Sequence, residues 1–254
     1  MMAREQIWIK MERDRQRVLP KARRIYAEAL QKAFRPVLDN IEEQSHADQA
    51  LQASPELLDQ DRIEEGFEQM YEEIMPVFIR RRFNDLTKSH KDRETQWLRA
   101  AREYIRSGEI ADRIVRVTDT SKDRVRTIIQ RGIDEGMDVR QIARNIDELG
   151  FEQLIQNRST VVARTEVINA SNRGDIIGAR ETNLDLKKEW LTSIDGRERD
   201  GTDSPFDHAS ADGQQVDLED SFIVSGESLD YPGDPRGSAG NVIQCRCTQA
   251  YIEV

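Results

Sequence analysis

Ala163-Arg164-Thr165-Glu166-Val167-Ile168-Asn169-Ala170-Ser171-Asn172-Arg173-Gly174 is the stretch on which the reading of the fold depends. Val162, Ala163, Val167, Ala170 and Ile177, with Ile176 beside them, recur at helical spacing. They predict a helix over 160–182, with Ser159 as its N-cap. Glu166, Asn169 and Arg173 are three and four apart and share a face, whereas Arg164 and Glu166 are two apart and diverge. After Lys188 the texture changes. Residues 189–193 read as a strand, and Val216, Leu218, Phe222 and Val224 alternate with polar residues, with a break near Asp220. Residues 242–252 read as a further extended run, and Gly, Pro and Asp fill the intervals. A helix followed by short strands and long ordered loops is an α+β arrangement.

Upstream the chain reads as helix. Val18, Ala22, Ile25, Ala29 and Phe34 form one stripe, and Leu19, Tyr26, Leu30, Ala33 and Val37 an adjoining one. Pro20 is expected in an opening turn, and Pro36 is expected to kink or end this helix. Residues 41–60 are polar, with a break at Ser54-Pro55. A second helix is expected from about Asp61 to Arg82, carrying Ile63, Phe67, Met70 and Ile74 and interrupted at Pro76. A third carries Trp97, Leu98, Ala101, Tyr104 and Ile105 and ends at Ser107-Gly108. Thr120 or Ser121 then caps a helix holding Val125, Ile128, Ile129 and Ile133, closed at Gly136. Asp138-Val139-Arg140-Gln141 has the pattern of a capping box for a short helix through Ile142 and Ile146, stopped by Gly150. Its surface residues Arg140, Arg144, Asp147 and Glu148 make a poor DNA-reading face, so packing is favoured over a helix-turn-helix role. The domain reading is therefore an elongated helical region over 1–115 and a small α+β domain with short strands over 116–254.

Charge limits the function. Of 254 residues 34% are charged and only 37% hydrophobic, so a single compact core is not expected to use the whole chain. The net charge is −10, and from Lys187 onward 6 basic residues stand against 14 acidic ones. General nucleic-acid binding is excluded on that balance, because counterion release needs clustered cations. No apolar run approaches membrane-spanning length, and residues 1–10 lack the apolar core of a signal peptide, so no membrane role is expected. The cysteines are Cys245 and Cys247, one residue apart, where a mutual disulfide would be strained. A reducing compartment is the expectation.

The chemistry-bearing residues cluster late. His208, Cys245 and Cys247 are a candidate zinc site, since imidazole and thiolates suit that ion. A fourth ligand would be Asp207, Asp212 or a water. The alternative is a pair of buried cysteines packing a strand, with His208 in a loop hydrogen bond. Asp195, Arg197, Arg199 and His208 hold the ingredients of a metal-assisted nuclease or transferase centre, with Cys245 and Cys247 as its metal ligands. The competing and favoured reading is an ion-paired loop that fixes strand order, and no catalytic residue is assigned. Arg164-Thr165-Glu166 invites comparison with ADP-ribosyltransferases, but a buried clamp between helix and loop is the better reading of a carboxylate among core residues. Tyr231-Pro232-Gly233-Asp234-Pro235 is turn chemistry. Residues 236–240 read as a flexible loop with no helix after it.

Taken in order, these pieces resemble the phage Mu F-like family of head morphogenesis, or minor head, proteins. The residues carrying the resemblance are Arg164, Glu166, Asn172 and Gly174, Trp190, Asp195 and Arg197, Asp212-Gly213-Gln214, Pro232-Gly233 and Cys245-Arg246-Cys247. It covers about residues 116–251. Gln244 stands where the family usually has Asn. An apparent insertion, residues 200–207, separates Arg199 from His208, which the family keeps close. The resemblance implies a structural minor capsid protein of a tailed bacteriophage. It would be assembled in the host bacterial cytoplasm and located in the virion head near the portal vertex. Implied partners are the portal protein or the major capsid protein or both, bound through the helical region, and in addition packaged DNA. No enzymatic activity is implied.

Overall fold

A computed structural model describes residues 4–88, 93–145 and 151–254. It is α+β, helical up to residue 180 and built of short antiparallel strands after it. The helices are α1 (Arg4–Glu43), α2 (Ala47–Ala53), α3 (Gln60–Thr87), α4 (Glu94–Ile105), α5 (Gly108–Asp134), α6 (Val139–Asn145), α7 (Phe151–Arg180) and α8 (Ala239–Val242). The strands are β1 (Leu186–Leu191), β2 (Gln215–Asp217), β3 (Phe222–Val224), β4 (Glu227–Leu229) and β5 (Thr248–Glu253). Among these helices none is long and apolar enough to cross a membrane.

The chain divides into two compact units, and α1, α3 and α7 contribute residues to both. One unit comprises Arg23–Met70 and Ser107–Val162. Tyr26 meets Phe67 edge-on there, with ring centroids 5.7 Å apart. Two glycines set close helix approaches: a Cβ on Gly66 would lie 2.6 Å from Ala29 Cβ, and one on Gly132 2.5 Å from Ile142 Cγ1. The capping box forms as expected, Gln141 N donating to Asp138 Oδ1 and Asp138 N to Gln141 Oε1, each at 2.8 Å. Gly136 closes α5 at φ +73°. Ile146, Asp147, Glu148 and Gly150, expected at the end of α6, lie outside the described residues.

The other unit comprises Met1–Ala22, Tyr71–Arg106 and Ala163–Val254. Its sheet has the order β2-β1-β5, all antiparallel, with Trp190 opposite Gln249 and Glu189 opposite Gln215. β3 and β4 form a separate hairpin. Its tight turn puts Ser225 at φ 51° and Gly226 at φ 79°, as a two-residue turn matched to strand twist requires. Ile168, Trp190, Ala211, Phe222, Val224, Leu229, Cys245 and Cys247 make one buried cluster.

Several helix limits differ from the sequence expectation. Pro20, Pro36 and Pro76 neither open nor end a helix: α1 runs through the first two and α3 through the third. Pro20 and Pro36 are exposed, as are Gln16 and Lys32, whose carbonyls each proline leaves without a donor. Carbonyls on a wet face can turn to water, so the helix continues through both prolines. Thr120 and Ser121 are not caps but lie inside α5, where their hydroxyls donate to the carbonyls of Arg116 and Val117. Ser159 likewise lies inside α7, its hydroxyl donating to Gln156 O. The run over 242–252 is not one strand. It begins at the end of α8, a short helix not expected after the loop at 236–240 that takes up the loop's last two residues, and only β5 is extended.

Candidate functional site

α7 is polar as well as apolar in its buried half. Thr165, Glu166, Asn169, Ser171, Asn172 and Asp175 are all essentially inaccessible to solvent. Each polar group there needs a partner, because an unpaired one costs a few kcal/mol. Glu166 Oε2 accepts from the Tyr71 hydroxyl at 2.7 Å. Asn169 Oδ1 accepts from Tyr104 and Tyr231, and Arg173 lies over both rings. Asp175 takes Arg82 Nη2 at 2.6 Å. Arg164 and Glu166 diverge as their spacing requires, and Arg164 lines a cavity on another side.

Asn172 is the hub. Its Nδ2 donates to Pro232 O at 2.7 Å and to Cys247 O at 3.2 Å. Its Oδ1 accepts from Arg15 Nη2 at 2.8 Å and from Thr248 Oγ1 at 3.0 Å. Arg15 is buried, and desolvation pulls its guanidinium down to about 10. Its Nε reaches Ser171 Oγ at 2.8 Å. Gly174 lets α3 approach α7, since a Cβ there would lie 3.0 Å from Met75 O. Gly233, at φ +86°, lets the Pro-Gly loop lie against Ile168 and Asn169.

The Asp212-Gly213-Gln214 turn has a similar explanation. Asp212 Oδ1 accepts from Thr192 N, and Oδ2 pairs with Arg4. Gly213, at φ +79°, donates its N–H to Trp190 O. Gln214 uses its side-chain amide as a strand would use its backbone, accepting from Ile223 N at 2.7 Å and donating to Ile223 O at 3.1 Å. It thereby joins the sheet to the β3–β4 hairpin. Trp190 stands edge-on to both Phe222 and His208.

The loops converge on His208, Cys245 and Cys247, all three buried. His208 Nδ1 lies 3.7 Å from Cys245 Sγ and 3.5 Å from Cys247 Sγ, and the three ligand atoms lie within 4.8 Å of one another. Asn241 Nδ2 donates to Val224 O, which leaves Oδ1 to accept from His208 Nε2 at 3.1 Å. The proton therefore sits on Nε2, and the Nδ1 lone pair faces the thiols. The hydrogen bond from Cys247 holds the Cys245 thiol well below its ordinary range. Burial, and then Cys245, push Cys247 up.

The insertion does not separate Arg199 from His208. Asp200 bridges Asp207, closing residues 200–207 into a side loop, and His208 N donates to Arg199 O at 2.8 Å. Arg199 Nη2 in turn holds Ile243 O at 2.6 Å, just ahead of the two cysteines. Asp195 Oδ2 is shared by Arg197 at 2.7 Å and by Arg246.

The donor set fits zinc. Ordinary zinc–ligand bond lengths in a tetrahedron place imidazole nitrogen and thiolate sulfur about 3.5 Å apart. A hydrogen-bonded Nε2 is the usual companion of an Nδ1 ligand. Neither Asp207 nor Asp212 completes the set: among the described residues the group consists of the three side chains alone. The carboxylates are engaged elsewhere, Asp212 by Thr192 and Arg4 and Asp207 by Ser210 N. Sequence reasoning missed Asn241 and Arg15. Neither has a local signal, since one lies in a four-residue helix and the other some 230 residues from the carbonyl it binds.

The family described as Phage Mu protein F like protein matches residues 123–250, and the chain belongs to it. Membership of that family suggests a role in phage head morphogenesis. The chain is also similar to the NAD(+)--arginine ADP-ribosyltransferase EFV of Enterococcus faecalis (strain ATCC 700802 / V583). It is 28% identical to that protein over 142 residues, which is 55% of this chain and 27% of the relative. The chain thus spans about a quarter of that protein's length. No solved structure matches.

Proposed function

We propose that this Mu F-like chain is a minor structural component of a tailed-phage head, seated at the portal vertex and without catalytic turnover. In this reading the helical part, residues 1–115, docks on the portal or major capsid protein. The part from 116 onward is a rigid module beside the path of the packaged DNA, aiding assembly and DNA packaging or delivery.

One observation supports the reading beyond family membership. Several charged side chains of the late loops are engaged with one another and with backbone. Asp195 is shared by two arginines, Arg236 is paired with both Asp230 and Asp234, and Asp212 holds Thr192 N and Arg4. Such pairs fix geometry even where they add little net stability. The competing nuclease or transferase reading has no comparable support, because its acidic candidate, Asp195, is already held by Arg197 and Arg246. The similarity to an ADP-ribosyltransferase covers too little of that protein to bring its activity here.

We also assign His208, Cys245 and Cys247 to a structural zinc ion, with a water as the remaining ligand. The ion would tie the loop after Arg199 to the start of β5. The docking claim is tested by mixing the purified chain with its cognate portal protein and measuring mass by light scattering. A discrete complex is expected. Two separate species at micromolar concentration would contradict it.

A further inference from the structure

A cavity of about 260 Å³ has His208 and Cys247 in its wall and is otherwise lined by Arg164, Arg197, Arg199 and Arg246 together with Ser193 and Glu198. The arginine density is unusual for a chain of net charge −10. Arg197 and Arg246 share the carboxylate of Asp195, and Arg246 also lies 3.8 Å from Glu12 Oε1. Among the described residues no carboxylate lies within ion-pair distance of Arg164 or Arg199, and both are half-buried. The cavity wall therefore carries positive charge at Arg164 and Arg199 that no carboxylate pairs with, on half-buried side chains where a fixed anion is more strongly favoured than in open water.

A second observation points the same way. Three buried polar atoms of this lining have no hydrogen-bond partner in the protein: Ser193 Oγ, Arg246 Nε and Glu198 Oε2. Ser193 is only 2% exposed. Buried polar groups are normally satisfied, so three orphans on one small cavity mark a missing partner. That partner must accept hydrogen bonds from guanidinium groups and a hydroxyl. It must also donate one, to Glu198. A carboxylate ligand supplies acceptors only, as does a fully ionised sulfate. A phosphate that keeps one P–OH supplies both.

We propose that this cavity is a binding site for inorganic phosphate or a phosphomonoester. Arg164 and Arg199 neutralise its charge, Ser193 and Arg246 donate to its oxygens, and Glu198 accepts from its hydroxyl. The planar guanidinium fork suits such an oxyanion better than an ammonium would. The proposal does not rest on the chain being a head protein.

The test is calorimetric titration of the full chain, in chloride buffer near neutral pH, with inorganic phosphate, a nucleoside monophosphate, sulfate and a dinucleotide lacking terminal phosphate. Saturable phosphate binding with Kd at or below about 1 mM is expected. Sulfate and the dinucleotide should bind roughly tenfold more weakly, for want of the donor to Glu198. Tighter binding of the monophosphate would identify a nucleotide end as the source, and preference for the free ion would identify inorganic phosphate. Arg164→Gln should weaken binding about tenfold or more. Ser193→Ala should weaken it several-fold and leave the fold intact, because its hydroxyl holds nothing inside the protein. Absence of saturable phosphate binding, equal binding of sulfate, or affinity unchanged in a folded Ser193→Ala protein would overturn the proposal.

Discussion

The side-chain amide of Asn172 donates to the carbonyl of Pro232, 60 residues away, at 2.7 Å, while its oxygen receives Arg15 and Thr248. Both ends of one buried amide are thus in use, and the Pro-Gly loop, the Cys-Arg-Cys segment and the first helix meet on it. Replacing Asn172 by Ala strands the Pro232 carbonyl and the Nη2 group of a buried guanidinium at once, while Cys247 O keeps Arg15 Nη1. A loss of about 2–4 kcal/mol is expected from urea denaturation, since each stranded buried group costs about 1–3 kcal/mol. Asn172→Asp keeps the acceptor and removes the donor, so it should cost less than Ala. A loss below about 0.5 kcal/mol for Asn172→Ala, the size of an ordinary surface change, would show that the hub is not structural.

Gly178 supplies a second test, of backbone approach. A Cβ on it would meet Ile79 O at 2.4 Å and Arg82 Cβ at 2.9 Å, which requires α3 and α7 to move apart. Gly178→Ala should destabilise by about 1–3 kcal/mol, the usual cost of overpacking. Gly108→Ala, where nothing lies within 4 Å, is the matched control and should stabilise by about 0.5–1 kcal/mol. Equal melting shifts in the two variants would contradict this account.

Lys188 is buried under the hairpin, its Nζ donating to Asp230 O at 2.7 Å and lying 5.2 Å from the centre of the Phe222 ring. Desolvation pulls its ammonium from 10.5 down to about 8. Between those values the unfolded chain binds more protons than the native one, so native stability contributed by this group rises with pH. Below about pH 8 the folded protein bears the full cost of a desolvated charge. Lys188→Met should therefore be more stable than the parent near neutral pH, by about 1 kcal/mol or more. The advantage should shrink as pH rises toward 10.5, and denaturation curves of both proteins across that range measure it. An advantage that grows with pH would show that the sign is wrong.

Zinc at His208, Cys245 and Cys247 makes a stoichiometric prediction. Protein purified without chelator should carry one zinc per chain by atomic emission, and Cys245→Ser should carry none. Asn241→Ala leaves all three ligands in place but frees the imidazole to rotate or change tautomer. It should weaken zinc binding by about 10–100-fold, the usual effect of removing an outer partner. Metal-free protein with the melting temperature of the metal-loaded form would dismiss a structural ion.

The parts of this fold that could be read from the chain were those determined by neighbours in sequence. Asp138 and Gln141 are three apart and form the box their spacing predicts. Glu166, Asn169 and Arg173 share a face, as the helical repeat requires. What misled was the use of local signals whose meaning depends on distant surroundings. A hydroxyl such as that of Ser159 or Ser121 caps a helix end, yet inside a helix it is content with the carbonyl three or four residues back. Pro20 and Pro36 break a helix only where the orphaned carbonyl cannot reach water. The polar, buried face of α7 was legible as motif residues, but its partners Arg15, Tyr71 and Arg82 lie about 90 or more residues away. The same is true of the histidine centre: its three side chains were visible as residue types, whereas the hydrogen bond from His208 to Asn241 and the loop closure between Asp200 and Asp207 depend on tertiary contacts.

The most direct measurement is quantitative mass spectrometry of purified proheads and mature virions of the phage that encodes this chain, with the portal protein as internal standard and cross-linking to fix neighbours. A structural head component at the portal vertex should be present in proheads at a copy number comparable to or below that of the portal. Its cross-links to the portal should come from residues ahead of 116. Absence from both particles, or uniform cross-linking across the capsid shell with none to the portal, would contradict the account.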